Sequence, residues 1–148
     1  MQDYVIRNIP RVTRLVTNTV IPQETVKAYQ ETEYHIFGTE DIILKIGQED
    51  TRLEKYGNCA FITPCNPLGQ SYSKMWNLAM VKNFECMLEL HDVQFVLAYS
   101  FHPVSKHPEN GLFVYNISRE DAISYGKWYR QNAIVFCQDC VPELILLR

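Results

Sequence analysis

The stretch Cys59-Ala60-Phe61-Ile62-Thr63, running directly into Pro64-Cys65-Asn66-Pro67-Leu68-Gly69-Gln70, decides the fold. Its first part is a short unbroken apolar run, the pattern of a strand covered on both faces. Its second part is a loop over residues 64–71, punctuated by Pro and Gly. The longest periodic segment follows, residues 72–91. There Trp76, Met80, Phe84, Met87 and Leu88 recur at helical spacing, and a Met and aromatic stripe of this kind is a core face.

Working outward toward higher numbers, residues 94–100 read as an apolar strand, 102–111 as a polar loop and 112–117 as a second strand. Ser118 with Asp121 resembles a capping box that opens a helix carrying Ala122, Tyr125, Trp128 and Tyr129. Residues 133–136 and 144–147 close the chain as two strands joined by a tight turn. From Cys59 onward the order is strand, helix, strand, strand, helix, strand, plus one strand. That is the split βαβ order of ferredoxin-like sandwiches. It predicts an α+β fold with a single mixed or antiparallel sheet and helices packed on one face.

Toward lower numbers, Asp50 or Thr51 can cap a short helix through Leu53 and Tyr56, which Gly57 stops. Residues 34–37 and 42–46 read as two strands around a turn containing Gly38. Pro22 suits the first turn of a short helix with Val26, Tyr29 and Thr32. Residues 1–21 differ from the rest, with Arg7, Arg11 and Arg14 among Val, Ile and Thr, and with Pro10 interrupting any helix. The expectation is an N-terminal arm over 1–21, extended and packed on a single α+β domain over 22–148. Three arginines could also form a nucleic-acid arm, a sharper reading than a packed segment.

Composition bounds the function. The 148 residues are 47% hydrophobic and 21% charged, which suits one domain with a packed core. The net charge of -3 argues against a broadly basic nucleic-acid face. No stretch has the length of a membrane span, and the early Asp3 argues against a signal peptide. Five cysteines is an odd number, which points to reduced cytosolic thiols.

Two polar clusters sit at strand ends, where a rigid sheet positions side chains for a ligand. The first is Asn66-Pro67-Leu68-Gly69-Gln70. Pro67 pushes Asn66 away from the helical region, so Asn66 either caps a turn feeding the long helix or presents its amide to a ligand. Gly69 permits close approach. The second is Arg130-Gln131-Asn132. There Asn132 is either a helix C-cap or, with Gln131 and Arg130, a binding group for a carboxylate, phosphate or base edge. His107-Pro108-Glu109 supplies a titratable pair for general acid–base work, with His102 a weaker companion, although surface loops often hold such residues. Cys137-Gln138-Asp139-Cys140 is half of a zinc or redox motif whose partners would have to be Cys59, Cys65 or His35. Cys65 is either a nucleophile beside a His or a buried inert thiol. No metal or cofactor is expected.

At these motifs the chain resembles an uncharacterised bacterial family, domain of unknown function 3293. The resemblance rests on Tyr29 with Thr32-Glu33-Tyr34, Leu44-Lys45-Ile46-Gly47-Gln48, and Leu53. It continues through Ala60-Phe61-Ile62-Thr63 with Asn66-Pro67, Asn77, Pro108-Glu109, and Gln131-Asn132-Ala133-Ile134. It covers the chain from about Val26 onward. This sequence departs from the commoner pattern near His107, where family members have Trp or sometimes His, and at Asn110-Gly111, where an acidic residue and Ser are usual. The resemblance implies a small bacterial soluble domain and supplies no activity.

Together these observations predict a binding or regulatory domain for a small polar or anionic ligand, or a protein partner, with Asn66, Gly69, Gln70, Glu109, Arg130, Gln131 and Asn132 as binding residues. A small hydrolase or transferase using His107 and Glu109 is the second expectation. A nucleic-acid-associated factor is the third. Convergence of Asn66, Gln70, Glu109, Gln131 and Asn132 on one cleft is the decisive geometric expectation.

Overall fold

The computed structural model describes residues 11–16, 20–38 and 41–148. Arg7 and Pro10 of the expected arm lie outside them. The chain runs through β1 (Val12–Arg14), α1 (Gln23–Glu31), β2 (Glu33–Ile36), β3 (Ile42–Leu44), a 3-10 turn (Thr51–Tyr56) and β4 (Cys59–Ile62). A second 3-10 turn (Pro67–Gly69) leads to α2 (Lys74–Leu90), β5 (Gln94–Phe101), β6 (Glu109–Tyr115), α3 (Arg119–Trp128), β7 (Ala133–Gln138) and β8 (Val141–Leu146). The strands form one eight-stranded sheet in the order β1-β8-β7-β4-β6-β5-β2-β3. It is a mixed sheet, because β1 runs parallel to β8 while every other neighbouring pair is antiparallel.

β4 lies in the middle, and all four of its residues are buried. Cys59 and Phe61 enter the core on one face, Ala60 and Ile62 the core on the other. This is why the sequence there shows no polar alternation. The two cores need two covers, so the expectation of helices on one face holds only for α2 and α3. α1 contributes Val26, and the first 3-10 turn contributes Leu53, to the opposite core.

α2 begins at Lys74 rather than Tyr72, because the Ser73 hydroxyl accepts the Trp76 N–H (3.1 Å) as an N-cap. Its buried line is Val81, Phe84 and Leu88, flanked by Met80 and Met87. Trp76 leaves that line and stacks on Tyr72, with centroids 4.3 Å apart. α3 opens as expected, with the Asp121 N–H donating to the Ser118 hydroxyl (3.1 Å). Trp128, however, faces solvent at 69% exposure. The close contact comes from Gly126, where an added Cβ would lie 2.6 Å from both Ile134 and Leu147, so α3 can lie this near the sheet only with glycine there.

β7 and β8 meet at Asp139-Cys140, both at positive φ (55° and 66°), the signature of a two-residue hairpin turn. The Cys-x-x-Cys sequence therefore spans a strand end and a turn. β6 begins at Glu109, within the segment expected to be a loop, and Glu109 pairs with Ser100 of β5. The candidate acid is thus held by the sheet.

Candidate functional site

Antiparallel pairing brings the two amide clusters together. β4 lies antiparallel to both β7 and β6, so the end of β4 sits beside the start of β7 and the start of β6. Asn66, Asn132 and Glu109 arrive at one end of the sheet for that reason.

Asn66 occupies the left-handed region (φ 48°, ψ 56°), where the Pro67 that follows it favours extended backbone. Side-chain bonds hold it there. The Asn66 N–H donates to Asn77 Oδ1 (3.1 Å), and Asn77 Nδ2 returns a bond to Asn66 Oδ1 (3.0 Å). The same oxygen accepts the Tyr72 N–H (2.9 Å), and Asn66 Nδ2 donates to Glu109 Oε2 (2.8 Å). Asn66 therefore organises the loop from within and anchors the carboxyl group.

The second cluster follows a Schellman motif. Arg130 sits in the left-handed position (φ 56°), the Arg130 N–H donates to Lys127 and the Gln131 N–H to Gly126, both at 3.0 Å. Arg130, not Asn132, is thus the left-handed residue at this helix end. Its exposed side chain lies off the cleft wall, unlike the other residues expected to bind. Its carbonyl accepts the Leu68 N–H (2.8 Å), and Gln131 Nε2 donates to the Cys65 carbonyl (3.0 Å), so the two loops are clipped together. Asn132 donates from Nδ2 to the Tyr29 hydroxyl (3.2 Å) and accepts Arg148 Nη1 at Oδ1 (2.9 Å).

Between the loops and α1 lies a cleft of about 560 Å³. Asn66, Gly69, Gln70, His107, Glu109, Gln131 and Asn132 all line it. Tyr29, Tyr34 and Phe61 complete the wall, and the sequence assigned them only structural places. Asn77 and Arg148 were also missed as positioning residues, since nothing local marks a partner far along the chain.

Burial pushes the Glu109 carboxyl above its ordinary value, and the Asn66 amide bond opposes this in part. Burial likewise raises the Tyr29 and Tyr34 hydroxyls, leaving both phenols neutral at neutral pH. The Cys65 thiol, buried and donating to the Asn110 carbonyl (3.3 Å), is pushed up to about 11, which suits an inert thiol and not a nucleophile. His107 is exposed and, among the described residues, makes no hydrogen bond to Glu109. His102 Nδ1 accepts the Val104 and Ser105 N–H groups (3.2 and 3.3 Å), and its Nε2 lies 3.7 Å from Glu31. Cys59 faces Cys137 across β4 and β7, deep in the core. Among the described residues, no three His, Cys, Asp or Glu side chains are grouped to hold a metal ion, and no helix is long and apolar enough to cross a membrane.

Two outcomes follow. Folding raises the Glu109 pKa above its unfolded value of about 4.3. Its contribution is therefore largest at acid pH and is lost as pH rises through the folded value. Glu109→Gln should gain stability relative to the wild type as pH increases from 4 to 7, followed by urea unfolding. A constant difference across that range would contradict the burial of this carboxyl. Asn132→Ala, which removes a buried amide bonded at both ends, should cost about 1–3 kcal/mol in the same experiment.

No curated protein and no solved structure matches the chain. Residues 62–134 match the model of a family described as Protein of unknown function (DUF3293). The matched segment runs from the last residue of β4 to the second residue of β7, and it contains Asn66, Gly69, Gln70, His107, Glu109, Arg130, Gln131 and Asn132. Over residues 62–134, just under half of its length, the chain is thus similar to the DUF3293 family.

Proposed function

We propose that the protein is a binding or regulatory module whose ligand is a small polar molecule held in the cleft beside Glu109. One observation carries this reading: a half-buried carboxyl of raised pKa lies on the wall of a cleft of about 560 Å³, anchored by a neutral amide. Perturbed titratable groups in concave sites are where binding and chemistry concentrate. Left-handed backbone at Asn66, Leu68, Gly69 and Arg130 around the same rim supports it, since such conformations persist where the surroundings enforce them. Asn66 and Asn132 have both ends of their amides committed to the protein, and Gln131 has its Nε2 so committed. They shape the cleft, while Glu109, Gln70, Tyr29 and the two histidines offer contacts. The ferredoxin-like reading of the C-terminal two thirds is supported by the spatial order β7-β4-β6-β5.

The hydrolase or transferase reading draws support from one fact, that His107 and Glu109 share the cleft wall. A thermal-shift screen of metabolites against the wild type and Ser71→Trp tests the binding reading. Ser71 is an exposed residue on the cleft wall, and a Trp there fills the opening. A ligand at a hundred times its Kd adds about 2.7 kcal/mol of apparent stability. Hits should stabilise the wild type and not Ser71→Trp. Hits indifferent to that change would place binding elsewhere. Turnover of a hit, lost in both His107→Ala and Glu109→Gln, would favour the enzyme.

A further inference from the structure

We propose that the molecule bound in this cleft is a small organic cation, an amine or ammonium compound, with Glu109 as its counter-ion. The inference rests on the reading of the cleft as a ligand site and adds the charge of the ligand. Among the described residues, no Lys or Arg side chain lines the cleft, and Glu109 supplies its only carboxyl group. Glu109 has no ion-pair partner among the described residues. The neutral Asn66 amide donates to its Oε2, and the other side chain that bears on it, Thr63, is neutral too. A carboxylate drawn partly out of water, as Glu109 is, gains from pairing with a positive group, and an incoming ammonium supplies that group here.

Arg148 does not compete: it is spent on the Asn132 amide oxygen and lies off the wall. Aromatic rings supply the second element of cation recognition. Tyr29, Tyr34 and Phe61 line the same space, with the Tyr34 and Phe61 centroids 5.0 Å apart and their planes tilted by 53°. Ring faces attract an ammonium or quaternary nitrogen electrostatically, most strongly where water is excluded. The neutral phenols leave that attraction unopposed by a second charge. An anionic ligand would instead meet Glu109 with no Lys or Arg on the wall to offset the repulsion, only the His102 and His107 imidazoles.

A matched trio of probes tests the charge directly: butylamine, butan-1-ol and butyrate, which share a carbon chain and differ in charge. Each is titrated into the full-length protein to about 50 mM, enough to reveal millimolar binding, while backbone amide NMR signals of Gly69, Gln70, Glu109 and Asn132 are followed. Butylamine should move these signals, and the other two should not. Glu109→Gln, near-isosteric and able to keep the Asn66 bond, should weaken butylamine binding about tenfold. Ser71→Trp should remove the response, and an unchanged spectrum elsewhere shows that each variant folds. Movement caused by butan-1-ol or butyrate but not by butylamine overturns the cation and leaves the binding cleft standing. So does a butylamine response unaltered by Glu109→Gln. Silence from all three probes overturns both readings.

Discussion

Phe84→Ala should lower the free energy of unfolding by about 3–5 kcal/mol. The ring is fully buried in the middle of α2, between Val81 and Leu88. It packs on the rings of Tyr125 and Tyr129 from α3, with centroids 5.6 and 4.8 Å away. Truncation removes the apolar transfer energy and leaves a cavity walled by two helices and the sheet, which collapse only in part. For a chain of this size the change corresponds to a drop of roughly 6–20 °C in Tm. Met75→Ala is the matched control: Met75 lies on the same helix at 81% exposure, so its removal should cost less than about 0.5 kcal/mol. Denaturant unfolding of both variants decides the matter, and a Phe84→Ala loss below about 1 kcal/mol would reject the assigned core face.

Asn66→Ala should cost about 2–4 kcal/mol, although Asn66 lies in a loop. Three effects act together. The Glu109 carboxyl loses the Asn66 donor, a bond to a charged group worth about 1.5–3 kcal/mol. The Tyr72 N–H and the Asn77 amide lose their acceptor. Alanine also tolerates the left-handed backbone less well than asparagine does, by roughly 1 kcal/mol. Two companion variants separate the causes. Asn66→Gly relieves the backbone and keeps the other losses, so it should recover only part of the stability. Asn66→Asp keeps an acceptor for Tyr72 and Asn77 but sets a second carboxyl against Glu109, so its penalty should grow as pH rises. Equal stability of the Ala and wild-type proteins in urea would remove Asn66 as the organiser of this loop.

Strong local patterns were legible in the sequence. β4 was readable because a strand covered on both faces shows an unbroken apolar run. α2 was readable from its spacing and α3 from its Ser118 cap, while the Ser73 cap of α2 was not read. The face of α2 was read slightly off-centre: Val81 belongs on it, and Trp76 leaves it for Tyr72, a pairing across the helix start that periodicity does not register. Glu109 was read as loop because Pro108 and the polar residues around it conceal the start of β6. Arg130 was missed as the left-handed residue because Asn and Gly are the usual occupants, and here three backbone bonds at the helix end enforce the geometry. The meeting of Asn66, Gln70, Glu109, Gln131 and Asn132 was foreseeable only as a condition, antiparallel pairing of β4 with its neighbours. The positioning bonds from Asn77 and Arg148, and the opposite face taken by α1, depend on tertiary contacts that no short window of sequence contains.

The parallel pairing of β1 with β8 sets an order of events. Val12 lies beside Leu144, and the Thr13 hydroxyl bonds to Glu143, 130 residues further along the chain. Three residues have no local means of finding such a partner, and closing so long a loop is entropically unfavourable until the other side is already formed. The β7–β8 hairpin, closed by a two-residue turn, has no such obstacle. β1 is therefore the last strand to dock and the first to leave. Changes in it should govern how quickly the native state opens far more than how quickly that state is reached.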